Sequence, residues 1–320
     1  MRRNPLAFLL LSLSMIIVTG CAHRSRPEQA QVTYVSRPVI DFGKGGGGLP
    51  LEGVKELHTA ADLLLGLTQG YRSRVELPKD HDPITIAGEF PQLDFLQIDL
   101  SNATLKKDYK PREFRKPSVP RPVVFAKQFE YIARPLRYQN GPMEWHISAR
   151  DAELDLVRDG DQSTLVLTSA AEGSFEFSMN VADVRPMLLA GAKAHSKGGF
   201  SVKDIWFEVR CENDRALVID MKVDATWLLL PATFRLGGRV DLDEACNVRL
   251  SGLKCDGENL GGLLLAGFID DAMQKHNGKV MPLAQWPGNK IRLSGAQIKL
   301  DDHIRIKAAF GPAPTLAKTN

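Results

Sequence analysis

The chain lacks most of the signatures that announce chemistry. Its four cysteines are Cys21, Cys211, Cys246 and Cys255. The last three are separated by 34 and 8 intervening residues, a spacing that matches no zinc pattern. No Gly-x-Ser-x-Gly elbow occurs, so a serine hydrolase of that type has no support. The one glycine run, Gly45 to Gly48, is followed by Leu49-Pro50-Leu51 where a phosphate loop would need Lys-Ser/Thr. Net charge is +3 and falls to +1 without Arg2 and Arg3, so no global field points to nucleic acid. The longest internal apolar block, Leu263 to Ile269, ends in Asp270-Asp271, well short of the roughly 20 residues that span a bilayer. These absences leave a non-enzymatic protein without an expected metal or cofactor.

The start of the chain is the most specific signal present. Arg2 and Arg3 precede an apolar run from Leu6 to Val18, and Val18-Thr19-Gly20-Cys21-Ala22 follows. A charged head, a short apolar middle and small residues before a cut site read as a secretory signal. The cysteine after the small residues resembles the bacterial lipobox, which implies removal of residues 1–20 and a diacylated Cys21. The expected location is the cell envelope. Ala22 lacks the aspartate that marks inner-membrane retention in some bacteria, which points to the periplasmic face of the outer membrane. Residues 21–50, polar and basic and then glycine-rich, read as a flexible tether.

The chain is 43% hydrophobic and can bury a sizeable core. Pro50 opens an expected helix whose stripe is Leu51, Val54, Leu57, Ala61, Leu64 and Leu65, closed by Gly66 and Gly70. From about residue 83 the period becomes two, and alternation around Leu93 to Ile98, Phe125 to Tyr131 and Met143 to Arg150 predicts half-buried strands. Asp-rich turns at 158–161, 212–215, 243–245 and 301–302 predict four hairpins. A long helix is expected at about 258–276, with Leu260, Leu263, Leu264, Phe268, Ala272 and Met273 as its core-facing stripe. Three related segments recur: Ile98 to Leu105, Val248 to Cys255 and Ile291 to Ile298, each broken by Ser-Asn or Ser-Gly. Glycine inside a strand favours a bulge, and bulges tighten twist. The fold class expected is α+β, a strongly curved antiparallel sheet wrapping one or two long amphipathic helices. The folded body is expected over 51–312, as one domain or as halves 51–195 and 196–312, with a tail at 313–320.

The segment from about Phe200 to Gly311 resembles the LmeA-like phospholipid-binding lipoproteins, a bacterial family related to the TULIP superfamily. The resemblance is carried by the hairpin pair, Leu236-Gly237-Gly238-Arg239-Val240, the Val248 to Leu253 segment, the helix after Cys255 and the closing hairpin at Ile291. It implies an apolar cavity for acyl chains and no catalytic residues. The expected lining is Leu260, Leu264, Phe268 and Met273 on the helix and Trp206, Val218 and Phe234 on the sheet. Binding or transfer of phospholipid is the expected function. The alternative is a structural or assembly lipoprotein that holds another envelope protein.

Other clusters point to local structure. His58 and Asp62 lie one helical turn apart, too few for a metal site. Asp80-His81-Asp82 and Asp301-Asp302-His303 fall at turns, where aspartate bonds its own backbone. Glu144 and His146 share a strand face but have no third, orienting partner. The basic loop with Lys106, Lys107, Lys110, Arg112, Arg115, Lys116 and Arg121 is a candidate for docking on anionic head groups, where each cation contributes about 1 kcal/mol. For the cysteines, an extended strand over 248–254 puts Cys246 and Cys255 roughly 25–30 Å apart, beyond the α-carbon separation of about 7 Å that a bridge allows. Cys211 and Cys246, both at hairpin turns, are therefore the expected disulfide.

Overall fold

A computed structural model describes residues 48–54, 56–106, 121–138, 141–159, 162–194, 199–244, 246–282 and 291–312. The expected lipidation site Cys21, residues 21–47 of the tether, Lys107, Lys110, Arg112, Arg115, Lys116 and the tail 313–320 lie outside the described residues.

The architecture is α+β and mostly sheet. The first sheet collects β1 (Gly48–Leu51), β2 (Val75–Glu76), β3 (Ile84–Glu89), β4 (Gln92–Asp99), β5 (Thr104–Leu105), β6 (Pro122–Tyr138), β7 (Gly141–Asp159), β8 (Gln162–Ser169) and β9 (Glu172–Asn180). The second is the meander β10 (Phe200–Asn213), β11 (Ala216–Trp227), β12 (Leu230–Leu242), β13 (Asn247–Gly257) and β14 (Val280–Pro282). The last hairpin, β15 (Ile291–Leu300) and β16 (His303–Pro312), returns to the first sheet beside β9. The two sheets therefore do not follow a division at residue 195. Three helices are described: α1 (Ala60–Arg72), α2 (Val181–Ala194) and α3 (Leu260–Gln274). At 1.5 Å per residue each is about 20 Å long. They lie on open sheets, and the long wrapped helices of the expected fold are not seen.

Local chemistry explains the framework. All four Asp-rich hairpins form, as β7–β8, β10–β11, β12–β13 and β15–β16. Both Ser-Gly segments are bulges. Gly252 and Gly295 have φ of 58° and 59°, and in each pairing two residues of the glycine strand face one of its neighbour. The third segment turns instead, with Asn102 at φ 63°. The first sheet is not wholly antiparallel: β4 runs parallel to β6, with Gln92 opposite Phe125. A parallel pair needs a crossover, and β5 lies between the two strands in the chain.

The expected helix at Pro50 is instead strand β1, paired with β8 through Leu49 opposite Leu165, and it begins at Gly48, inside the expected tether. Helix α1 starts ten residues later than Pro50, where Thr59 and Asp62 form a reciprocal capping box that satisfies otherwise unpaired amides. Gly66 and Gly70 do not end this helix. They are buried where it presses on β1, and a Cβ on Gly70 would sit 2.3 Å from the Pro50 carbonyl oxygen. The buried stripe is accordingly Leu63, Leu67 and Tyr71, with Leu64 and Leu65 exposed.

Helix α2 had no sequence-based expectation, and it joins the two sheets. Val184, Met187, Leu188 and Ala192 are buried between β10 on one side and β7 and β9 on the other. Arg185 donates from Nε to the Ile205 carbonyl and from its terminal nitrogen to both Asp204 carboxylate oxygens at 2.9 Å. Those bonds hold the Asp204 carboxyl below the usual range. The sheets also meet where the Ile298 amide donates to the Asp214 carbonyl at 2.7 Å. The buried side chains of both sheets belong to one continuous core.

Candidate functional site

The candidate site is built on α3 and the end of the second sheet from which that helix rises. Asn259 caps the helix: its Oδ1 accepts from the Gly262 amide at 2.8 Å and from the Thr233 amide of β12 at 3.0 Å. Gly261 and Gly262 sit so close to β12 that added Cβ atoms would lie 2.4 Å and 2.0 Å from the carbonyl oxygens of Pro231 and Thr233. At the other end Asp270 accepts from the Cys255 amide, and Gln274 donates to the Leu253 carbonyl. These contacts fix the roll of the helix. They turn Leu265, Ala266, Ile269 and Met273 into the core.

The same roll sends the other apolar residues outward. Leu260 is 71% and Phe268 62% exposed, and Leu263 and Leu264 are exposed with them. At spacings of three, four and eight residues they share one face. The expected core stripe is thus rotated: of its leucines and phenylalanine none is buried, and Met273 alone of the four expected helix lining residues faces the sheet. On the sheet, Phe234 is fully buried in the core. Trp206 is 50% exposed on the opposite, outer face of β10, because the register shift between Val202 and Asp204 moves it there. Val218 is half-buried between the buried Leu217 and Ile219, and so belongs to the other face of β11. The seven expected lining residues therefore do not meet around one crevice.

Beside the exposed helix face stands the tip of the β11–β12 hairpin. Trp227 pairs with Leu230, leaving Leu228 and Leu229 as a two-residue turn with φ of 48° and 72°. Positive φ at both turn positions is the pattern that favours Asn-Gly. A leucine there costs roughly 1–2 kcal/mol of backbone strain. Leu229 is 94% exposed, and Leu228 and Leu230 are exposed too. The tip is braced by the Leu228 amide, which donates to the Gly199 carbonyl at 2.9 Å. Trp227 meets Phe268 edge-on, ring centroids 6.5 Å apart, which joins tip and helix into one apolar surface. Residues 225–234 and 260–269 contain no charged side chain. Sequence periodicity had not singled out this tip; the signal available was the charge-free Trp-Leu-Leu-Leu-Pro run between two alternating stretches.

Charge lies elsewhere. On the outer face of the sheet Glu258 accepts from Lys222 at 2.7 Å and Arg235 at 2.5 Å, bonds that hold its carboxyl below the usual range. Toward the opposite end of the sheet a depression of about 510 Å³ is lined by Asn213, Asp214, Arg215, Ala216, Asp241, Leu242 and Glu244. Its lining is too polar for an acyl chain.

The remaining candidates have structural roles or stay apart. Asp62 is the N3 partner of Thr59 in the α1 capping box. His81 Nε2 is 2.8 Å from the Asp99 carbonyl oxygen, and Asp301 Oδ1 accepts from the His303 amide. His146 lies opposite Glu176 on the β7–β9 ladder, and Glu176 is paired with Lys307 at 2.7 Å. Among the described residues no three His, Cys, Asp or Glu side chains come together to hold a metal ion. Lys106 donates from Nζ to the Arg72 carbonyl at 2.7 Å, so that cation is engaged with the end of α1.

All three described thiols are free, and the expected Cys211–Cys246 bridge is not formed. Cys211 is on β10 and Cys246 follows β12, with β11 between them. Two strand spacings make roughly 10 Å, more than a bridge can cross. Cys211 Sγ instead donates to the Asn213 carbonyl. Burial pushes the Cys255 thiol up to about 12, which keeps it neutral.

No helix among the described residues is long and apolar enough to cross a membrane. No known family model matches the chain, and no match is found among characterised proteins or solved structures.

Proposed function

We propose that the chain is a cell-envelope lipoprotein, anchored through Cys21 at the periplasmic face of the outer membrane, that binds phospholipid or a similar acyl-chain molecule. The observation that carries this reading is the bare apolar face of α3. The first ten residues of α3, Leu260 to Ile269, are apolar on all sides, a pattern ordinarily buried on all sides, and here Leu260, Leu263, Leu264 and Phe268 face outward. Contiguous exposed apolar surface marks interaction sites. The lipobox at Cys21 supports a membrane setting, and the TULIP-like resemblance supports acyl chains as the ligand. The ligand surface in this reading is the outer side of α3 and not a crevice beneath it. No catalytic role is proposed.

Native mass spectrometry of the gently extracted protein tests it. Co-purifying phospholipid is expected, and its occupancy should fall severalfold in L264E, which leaves the core untouched. Repeated ligand-free masses together with no uptake from vesicles would sink the proposal. The assembly-lipoprotein reading is favoured by one feature, the outer edge of β15, which has a strand partner on only one side among the described residues and, away from the Ile298 bond to Asp214, could accept a partner strand. Crosslinking in cells that recovered one dominant protein through β15 would replace lipid binding with that role.

A further inference from the structure

We infer that the β11–β12 tip, Trp227 to Leu230, is a wedge that enters the acyl region of a phospholipid bilayer and sets the protein's orientation on it. The inference rests on the proposed lipid reading only in taking a membrane as the partner.

Three features of the tip select a bilayer over other occupants. The first is the conflict between backbone and side chain. A two-residue turn with positive φ at both positions accommodates Asn-Gly without strain, yet leucines stand at φ 48° and 72°. The Leu228 amide is held by the Gly199 carbonyl, but Leu229, 94% exposed, gains no burial among the described residues that would offset its strain. Strained backbone clusters where a surface is committed to a partner. The second feature is charge. The tip and the adjoining helix face carry none, while paired charges cover the outer face of the same sheet at Glu258, Lys222 and Arg235. A partner recognised by charge would meet the wrong surface. The third is shape. Leu229, 94% exposed, is a convex point and needs a deep apolar medium to receive it. In a second copy of the chain the depression described at the other end of the sheet is lined by Asp214, Arg215, Asp241 and Glu244 and would reject leucine. A bilayer receives a convex apolar point without a preformed pocket. Trp227 at the base of the tip has the amphipathic ring that favours the head-group level, and its contact with Phe268 makes the exposed face of α3 continuous with the tip. The chain outside the described residues fits this arrangement. Cys21 lies 27 residues before Gly48, a reach of up to about 90 Å when extended, so an anchor at Cys21 permits the tip to meet the membrane.

The test uses the mature full-length protein in vesicles of phosphatidylethanolamine and phosphatidylglycerol that carry a diazirine at the end of one acyl chain. After illumination, labelled peptides are mapped by mass spectrometry. Wild-type label is expected on 227–231 and on the Leu260–Phe268 face, and not on the Lys222–Arg235 face. The double variant L228N/L229G replaces the strained pair with the residues the turn prefers. It should melt no lower than wild type and lose label at the tip by tenfold or more. Raising salt to 0.5 M should leave the wild-type label unchanged, as an uncharged wedge requires. An unlabelled tip in the wild type, undiminished label in the variant, salt-sensitive label, or a tip crosslinked to a second copy would each overturn the inference. Its failure is distinct from failure of lipid binding, because co-purified phospholipid reports on that reading whatever the tip does.

Discussion

The seating of α3 on β12 makes a prediction whose sign reverses over five residues of one helix. Gly262 and Gly267 both lie within α3, and in each case alanine adds one methyl group and removes backbone freedom. At Gly267 the new Cβ would meet nothing within 4 Å, so only helix propensity acts, and G267A should stabilise by up to about 1 kcal/mol. At Gly262 the Cβ would sit 2.0 Å from the Thr233 carbonyl oxygen and 2.8 Å from its carbon. That obstacle is backbone within a paired strand and cannot rotate aside, so the helix must lift. Overpacking of this kind costs about 1–3 kcal/mol, and a backbone clash belongs at the upper end. Lifting also stretches the one cap bond that crosses to the strand, from the Thr233 amide to Asn259, worth about 1 kcal/mol. Against the propensity gain, the net expectation is a loss of about 3 kcal/mol, or more than a hundredfold in local opening. Hydrogen exchange of the α3 amides reads this directly. Protection should rise modestly in G267A and fall by two orders of magnitude in G262A. Equal protection in the two variants would show that α3 does not rest on β12 and would remove the reason its leucines face outward.

The two bulge glycines give a cleaner backbone test. Gly252 and Gly295 have positive φ and open space where a Cβ would go, so alanine at either should cost only the left-handed strain, about 1 kcal/mol, with asparagine milder; urea denaturation measures both. The cysteines should differ sharply toward iodoacetamide at pH 8. Half-buried Cys211 is expected to react in the folded protein and Cys255 only after unfolding, and a Cys211–Cys246 peptide recovered without reductant would contradict the topology. Cys255 also contributes to pH dependence. Its folded value is raised to about 12 from an ordinary 9.0, so its contribution is complete below pH 9 and is lost as pH rises from 9 toward 12. C255A should flatten that alkaline fall in melting temperature.

Local chemistry made the strand framework legible. Asp-rich turns marked four hairpins, and serine-glycine breaks in alternating segments marked the bulges at Gly252 and Gly295, because both signals depend only on residues adjacent in the chain. Residues whose meaning depends on a distant neighbour were misread. Gly66 and Gly70 look like helix terminators until Pro50 and Leu51 are placed against them. The Thr59–Asp62 capping box was available as a start signal for α1, but the apolar residues before it drew the boundary to Pro50. Helix α2 carries Val184, Met187 and Leu188 at helical spacing, with Asp183 in its first turn and Lys193 in its last, and Pro186 in the same segment obscures that pattern. Cys211 and Cys246 sit at turns, as expected, but pairing them required knowing that β11 lies between their strands.

The facing of α3 shows most clearly what periodicity leaves open. Leucines occupy so much of the helix that one stripe and its neighbour score alike, and hydrophobicity alone does not choose the roll. The choice is made by Gly261 and Gly262, which let the helix backbone reach β12, by Gly257 of β13, where a Cβ would lie 2.2 Å from the Leu263 amide nitrogen, and by the Asn259 cap that ties helix and sheet. Once those contacts are made, the remaining leucines have nowhere to go but outward, next to a hairpin tip that also spends strain to hold leucines in the open. The second sheet thereby acquires an apolar end, with the polar depression of Asp214, Asp241 and Glu244 toward the other. On the proposed reading an anchor at Cys21 supplies residence at the membrane, and a surface with such a polarity supplies orientation. Reversing the polarity should separate the two: L229D with L264E is expected to leave the protein in the membrane fraction while tip labelling by acyl-chain diazirine disappears, whereas release into the soluble fraction would mean that the patch, and not Cys21, holds the protein at the membrane.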